Sequence, residues 1–514
     1  MGSNLKSAIH YLLNRIKVAG SFDLRSLAFA RISLGISLVY YFFTLFQNYQ
    51  LFLTHDGIIT RKEFIATMAH PWSWSVYYIN DHPNFIFLLL LFHFALVISF
   101  LVGYKTKLAT FLLWIMTVSL HNRNWFVLNG GDDLVRCCLL FSIFIPFGKY
   151  FSIDYLLNKS KVSVKNINHV HFSWVNYCYI YLLLSIYIIS GLFKNHPIWR
   201  TDFTALDYAL HLDMFVRPFG IWIREQYGLL KMMTAMAMFL EVYGPFLLLF
   251  SLLPKLFTFT RYLVTLGFMS FHLGIDLLIN VGPFPYYAIS FWLAFLPADF
   301  WKQNIRVVYY LRQFLTNLQT STIKFYQKVL PKFKLITSLS FVPAIIFLPL
   351  LAYWPLHDLK RDQIISYAWV QYSEAFVSAS RWLHTYQNWK LFAPFPKTNN
   401  VWFQVIGSLS SGEEVNLHLN SKDVSAQYPD SADVSEQFYS ENIRKMFLTL
   451  EDNERNRELM AKFYCRWWNE LGKGFTPGKL ASIEIKFYGQ RNLASGNTME
   501  PEKKVLLKHI CTSP

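Results

Sequence analysis

The chain has 514 residues, of which 54% are hydrophobic, 18% aromatic and only 16% charged. That balance suits a soluble enzyme poorly and is the composition of a polytopic membrane protein. The formal net charge of +16 does not argue for nucleic acid, because the lysines and arginines cluster in short segments between apolar runs rather than on one globular face.

Lys6, Arg15 and Lys17 precede the first apolar run without a short apolar core and small-residue cleavage site, so no cleaved signal peptide is expected and the first helix directs insertion. Nine apolar segments then read as spans, at about 24–47, 85–104, 107–121, 132–148, 174–193, 230–253, 262–281, 284–299 and 336–355. The third, fourth and eighth are short or aromatic, which leaves room for one re-entrant segment among them. With the N-terminus cytoplasmic, the inside segments hold Lys105 and Lys107, Lys149 to Lys165, Lys255 and Arg261, and a basic series from Lys302 to Lys334, as the positive-inside rule requires. The stretch from Lys194 to Lys231, with Arg200, Arg217 and Arg224, breaks the rule on the outer side. Either the topology fails there or those cations are used.

The segment 302–334, basic and interleaved with aromatics, reads as a helix on the cytoplasmic lipid surface. An odd number of spans places the tail outside. Its Trp402–Leu409 and Val415–Leu419 alternate around Ser410-Ser411-Gly412-Glu413 as a β-hairpin, Asn453–Leu471 has helical spacing, and Ser482–Tyr488 alternates again. The expected fold is therefore a polytopic α-helical membrane protein of about nine spans over residues 1–355, followed by an extracytoplasmic α+β domain over 356–514. Cys137, Cys138 and Cys178 lie in apolar runs, Cys465 and Cys511 allow at most one disulfide, and no spacing suits a metal.

Ionisable residues in or beside spans are costly and so are functional candidates. On this topology His121, Asp132 and Asp133, Lys194, and the helical pair His272 and Asp276 converge on the outer side. Each has a structural alternative. Lys194 is placed to snorkel to the headgroups, Asp132 is placed as a first-turn acid after the Asn129-Gly130-Gly131 turn, and His272 and Asp276 are spaced to hydrogen-bond each other. Arg31 and Glu241 fall deeper and read either as a buried ion pair or as independent groups.

Several motifs together resemble the vitamin K-dependent γ-glutamyl carboxylases and their bacterial relatives, which share the horizontally transferred transmembrane domain. Gly191-Leu192-Phe193-Lys194 followed by Trp199 is similar to a family segment with paired lysines, Lys194 standing on the second. Phe271-His272 followed by Gly282, Phe284, Pro285 and Tyr286 resembles the segment around an intramembrane histidine. Arg31 with Gly35, Asp56-Gly57, Asn129-Gly130-Gly131-Asp132 and Trp389-Lys390-Leu391-Phe392-Ala393-Pro394-Phe395-Pro396 look like the bacterial branch. The likeness covers about residues 20 to 490.

The resemblance implies a multi-pass protein of a bacterial inner membrane in which Lys194 is the base that deprotonates reduced vitamin K or another menaquinol-type quinol. His272, Asp276, Asp132 and His121 would form its polar shell, and Phe193, Trp199, Phe284 and Tyr286 would bind the quinol. Dioxygen and carbon dioxide would be co-substrates, membrane lipid and quinone the partners, and an extracytoplasmic protein or peptide the acceptor. Such an enzyme falls in the carbon–carbon lyase or quinol epoxidase class. The chain departs from the family pattern in two places: Phe193 replaces the first lysine, and Asn129-Gly130-Gly131-Asp132 stands where the animal enzymes carry Asn-Asn-His-Ser. Quinol oxidation or epoxidation without carboxylation, and a non-catalytic scaffold or quinone and lipid binder, are the alternatives.

Overall fold

The computed structural model describes residues 2–514 except 68–69, 159–168, 303–312, 314–340, 366–372, 425–437, 439, 494–495 and 512–514. All but one residue of the surface helix expected between Lys302 and Lys334 therefore lies outside the described residues. In chain order the helices are α1 (Gly2–Ala19), α2 (Leu24–Leu53), α3 (Arg61–Thr67), α4 (Pro83–Val102), α5 (Thr106–Arg123), α6 (Gly130–Ser142), α7 (Ile153–Asn158) and α8 (Val175–Phe193). Three short helices follow, α9 (Pro197–Arg200), α10 (Ala205–Leu210) and α11 (Pro218–Ile223), then α12 (Tyr227–Leu247), α13 (Phe257–Leu278), α14 (Phe284–Trp292) and α15 (Phe341–Arg361). The tail adds α16 (Glu374–Trp382), α17 (Glu441–Leu448) and α18 (Glu454–Asn469).

Every one of the nine apolar segments is built on a helix, with bounds displaced by a few residues. Among the described residues, five helical stretches are long and apolar enough to cross a bilayer: Leu24–Leu53, Pro83–Val102, Val175–Phe193, Tyr227–Leu252 and Val342–Arg361. The others fall short for visible reasons. Gly130–Ser142 has 13 residues, Phe284–Phe295 is a shorter apolar helix, and α5 and α13 carry more polar residues along their length. Caps set the boundaries. Pro83 at the first turn starts α4 and Gly103, with φ 71°, ends it; Asn129 and Asp132 form a reciprocal capping box on α6.

In the bundle α2 packs on α4 and α14, while α8 packs on α6, α12 and α15. Arg31 is buried in α2, but its guanidinium donates to the Phe151 carbonyl rather than meeting Glu241. The Arg31–Glu241 ion pair is thus not formed, because Glu241 faces a different helix.

Strands β1 (Phe22–Asp23) and β2 (Val170–His171) pair antiparallel, and the tail holds a separate antiparallel sheet in the order β4 (Glu414–Asn416), β3 (Asn399–Leu409), β5 (Leu480–Arg491), β6 (Glu502–Ile510). The expected hairpin is β3–β4, turning at Gly412 with φ 88°. The strand expected at 482–488 is the centre of β5, and Asn453 caps the expected helix, α18. Cys465 and Cys511 form the one disulfide the sequence allows. Strand β3 is buried along nearly its whole length, so its polar residues are not a solvent face. The Asn400 and Asn492 amides both donate to the His211 carbonyl, at 2.8 and 2.7 Å, and Asn400 Oδ1 accepts from Asp213 N–H at 2.8 Å. These bonds fasten the sheet to the segment that follows α10.

Candidate functional site

Helix α8 ends at Lys194, which caps it in a non-helical conformation with its N–H on the Ser190 carbonyl. The remaining terminal carbonyls need donors, and Arg200 supplies them, giving 2.9 Å to Lys194 O and 2.8 Å to Gly191 O. One of the cations that break the expected charge pattern is thereby accounted for. At Gly191 a side chain would press on Val242 of α12, so the glycine permits the close helix approach that brings residue 194 to residue 241. Lys194 is only 3% exposed and does not snorkel. Its Nζ lies 2.5 Å from Glu241 Oε2 and 4.5 Å from the Trp199 ring centre.

His272 of α13 approaches the same space. Trp292 Nε1 donates to the Tyr187 hydroxyl at 2.7 Å, and that hydroxyl lies 2.8 Å from His272 Nε2. The imidazole tautomer sets which of the two atoms carries the shared hydrogen. His272 Nδ1 is buried with no partner. The ring of Phe284 meets His272 edge-on at 5.3 Å. The hydrogen bond expected between His272 and Asp276 is not made. Asp276 pairs with Arg217 at 2.8 Å and accepts the Tyr286 hydroxyl at 2.8 Å.

His121 and Asp132 form a second group. His121 Nε2 is 3.4 Å from Asp132 Oδ1, and its Nδ1 is 3.4 Å from Arg136 Nη1. Because arginine only donates, Nδ1 accepts and Nε2 carries the hydrogen toward Asp132. Both imidazole nitrogens are occupied. The Asp132 carboxylate also accepts the Asn129 N–H at 2.8 Å, so its structural role as a helix cap is realised.

Lys194, Glu241, His272 and His121 line one cavity of about 1050 Å³, together with Trp199 and Phe284. Among the other residues expected at the site, Phe193 is buried beneath Lys390, Nζ 5.0 Å from its ring centre. Phe193, Asp132, Asp276 and Tyr286 stand outside the cavity wall. No group of three or more metal-type ligands occurs among the described residues.

Sequence reasoning did not foresee the far wall. The stretch from Lys390 to Lys397 crosses the cavity, and the Phe392 carbonyl takes the Trp199 indole N–H at 3.3 Å. Its approach is set by Arg136, which donates to the carbonyls of His384 and Tyr386 at 3.0 and 2.7 Å while pairing with Asp133 at 2.6 Å. Helix α17 contributes Glu441, Arg444 and Lys445. Arg444 donates to the Met214 carbonyl at 3.1 Å and lies 4.5 Å from the Phe215 ring centre. Burial pushes the Glu441 carboxyl up to about 8 against the pull of Arg444, and burial lowers the Lys445 ammonium. The available signal was Ser440 before Glu441, a helix-starting pair whose Ser440 Oγ accepts the Ile443 N–H.

Compared with protein-family models, curated proteins and solved structures, the chain matches none at a significant level.

Proposed function

We propose that this chain is a membrane-embedded enzyme of the vitamin K-dependent carboxylase type, using a reduced quinone, with Lys194 as the base. The observation that carries this reading is the buried Lys194–Glu241 contact in the wall of a large cavity that His272 also lines. A buried amine beside a carboxylate is one proton from a neutral pair, so Lys194 reaches its basic form by passing that proton to Glu241. His272 lines the same cavity, its ring held by the Tyr187 hydroxyl and, through it, Trp292. Trp199, Phe271 and Phe284 supply apolar and aromatic wall for a flat ring system.

A reduced quinone, when bound, supplies the electrons for dioxygen and the strong base that glutamate carboxylation requires. The chain's own residues receive the first proton at Lys194 Nζ and orient the ring system against Trp199, Phe271 and Phe284. Glutamate carboxylation is one output. Quinol oxidation or epoxidation without carboxylation is favoured by a specific observation: His121, the histidine nearest to the Asn129–Asp132 segment in sequence, has both nitrogens committed to Arg136 and Asp132.

The topology belongs to this proposal: nine crossings, a cytoplasmic N-terminus and the tail outside a bacterial inner membrane, with a peptide acceptor entering on the tail side. The Cys465–Cys511 disulfide supports that side, since such bonds persist in oxidising compartments.

Purified protein is expected to convert reduced naphthoquinone in the presence of oxygen, and Lys194→Ala to abolish turnover while the protein stays folded. Equal turnover in the variant would remove Lys194 from the mechanism. Labelled carbon dioxide appearing in a glutamate-rich peptide would establish carboxylation, and quinol turnover without that label would select the reduced activity.

A further inference from the structure

Helix α1 is not absorbed by the cavity or by the bundle. Its last turn is held firmly: Tyr177 donates its hydroxyl to the Ile16 carbonyl at 2.6 Å, Arg15 Nε donates to the Leu252 carbonyl at 2.8 Å, Asn176 donates to the Gly20 carbonyl at 2.9 Å, and Arg261 donates to the carbonyls of Ala19 and Ser21. Those partners mark the end of the bundle where α8 starts and the stretch Tyr227–Leu252 stops. Among the described residues, Lys6 to Asn14 of this helix are all exposed. Ile9, Leu12 and Leu13 are 50%, 55% and 43% exposed.

The pattern on that free part is ordered. Ile9, Leu12, Leu13 and Ile16 recur at the spacing of one helical stripe, which a helix presents to an apolar partner. Lys6, His10 and Lys17 run beside the stripe, and residues 1–22 contain no acidic side chain. Asn14 falls on the opposite side. An apolar stripe with basic groups along one edge and no acidic group near it, leaving the bundle at the end of its apolar spans, complements a surface that is negative at the headgroups and apolar just beneath. A second copy of this helix would set like charges against each other.

We infer that α1 is an interfacial helix lying on an anionic lipid surface, with Ile9, Leu12 and Leu13 in the acyl boundary and Lys6 and Lys17 on the headgroups. The stripe sits ~5–10 Å below the headgroup plane. The inference is independent of the cavity chemistry.

Spin labels on cysteines introduced at Leu12 and at Asn14 of the full chain test it, because Cys137, Cys138 and Cys178 are buried and the remaining two cysteines are joined. The chain is placed in lipid nanodiscs of phosphatidylcholine alone or with phosphatidylglycerol. The expected result is that the Leu12 label is several-fold more accessible to oxygen than to a water-soluble nickel chelate and that the Asn14 label shows the reverse. The contrast should grow with phosphatidylglycerol and shrink in the Lys6→Glu, Lys17→Glu variant. Equal chelate accessibility at both positions would overturn the interfacial placement, and a contrast indifferent to phosphatidylglycerol would overturn the anionic partner. Dipolar broadening between copies in place of the lipid contrast would give the stripe to self-association and overturn both.

Discussion

A buried ammonium is tolerated where a carboxylate answers it, and Lys194 and Glu241 are each almost wholly enclosed. Removing one partner leaves the other's charge stranded, at a cost of about 3–5 kcal/mol. Glu241→Gln is therefore expected to lower thermal stability and to cut quinol turnover by roughly 10²-fold or more, the range for a lost proton acceptor. The double variant Lys194→Met, Glu241→Leu should regain most of the stability without activity, and thermal unfolding beside turnover measurements separates the two effects. At His272 the test is Tyr187→Phe, which removes the hydroxyl that fixes the imidazole. Turnover should fall while stability changes by about 1 kcal/mol; unchanged turnover would make the Trp292–Tyr187–His272 chain purely structural. Lys194 was legible in the sequence from its place after an apolar run and from the surrounding motif. Its partner was not. Several acids and arginines inside spans give no pairing rule, and the contact with Glu241 depends on how closely Gly191 lets α8 approach α12, a property of packing across 47 positions.

Among the elements, α17 meets the rest of the chain at one tight spot beside Gly282. Gly282 adopts φ 67°, and a side chain there would collide with the Glu441 carboxyl. Gly282→Ala should cost about 1–2 kcal/mol from handedness alone and displace α17 further, which limited proteolysis around residues 438–450 would detect. Glu441 also makes the tail's docking sensitive to pH. Its carboxyl titrates at about 8 in the fold against an ordinary 4.5, so the folded form holds a proton that the unfolded form gives up. Stability is then expected to fall as pH rises from 4.5 toward 8 and to level beyond, with Glu441→Gln removing that slope. Unfolding scans at several pH values would show it, and an identical slope in the variant would assign the effect elsewhere. The helices of the apolar segments, helix α18 and the β3–β4 hairpin were readable because apolar periodicity and a Ser-Ser-Gly-Glu turn specify them locally. Strand β6 was not, since Glu502, Lys503 and Lys504 at an edge carry little apolar alternation. The burial of Asn400 and Asn492 was equally hidden, because their partner is the distant His211 carbonyl.

For the whole molecule, the proposed topology predicts that a C-terminal tag is reached by protease only from the extracytoplasmic side; cytoplasmic exposure would separate the tail from any outer acceptor. The order of the cavity's walls along the chain has a further consequence. His121, Lys194, Glu241 and His272 are made first, the stretch from Lys390 to Lys397 later, and Lys445 last. At the usual ~5–20 residues per second of synthesis, about 250 residues separate Lys194 from Lys445 and take roughly 10–50 s to appear. Through that interval the nascent chain carries an unroofed groove. A molecule too large to pass the finished walls has that interval in which to enter.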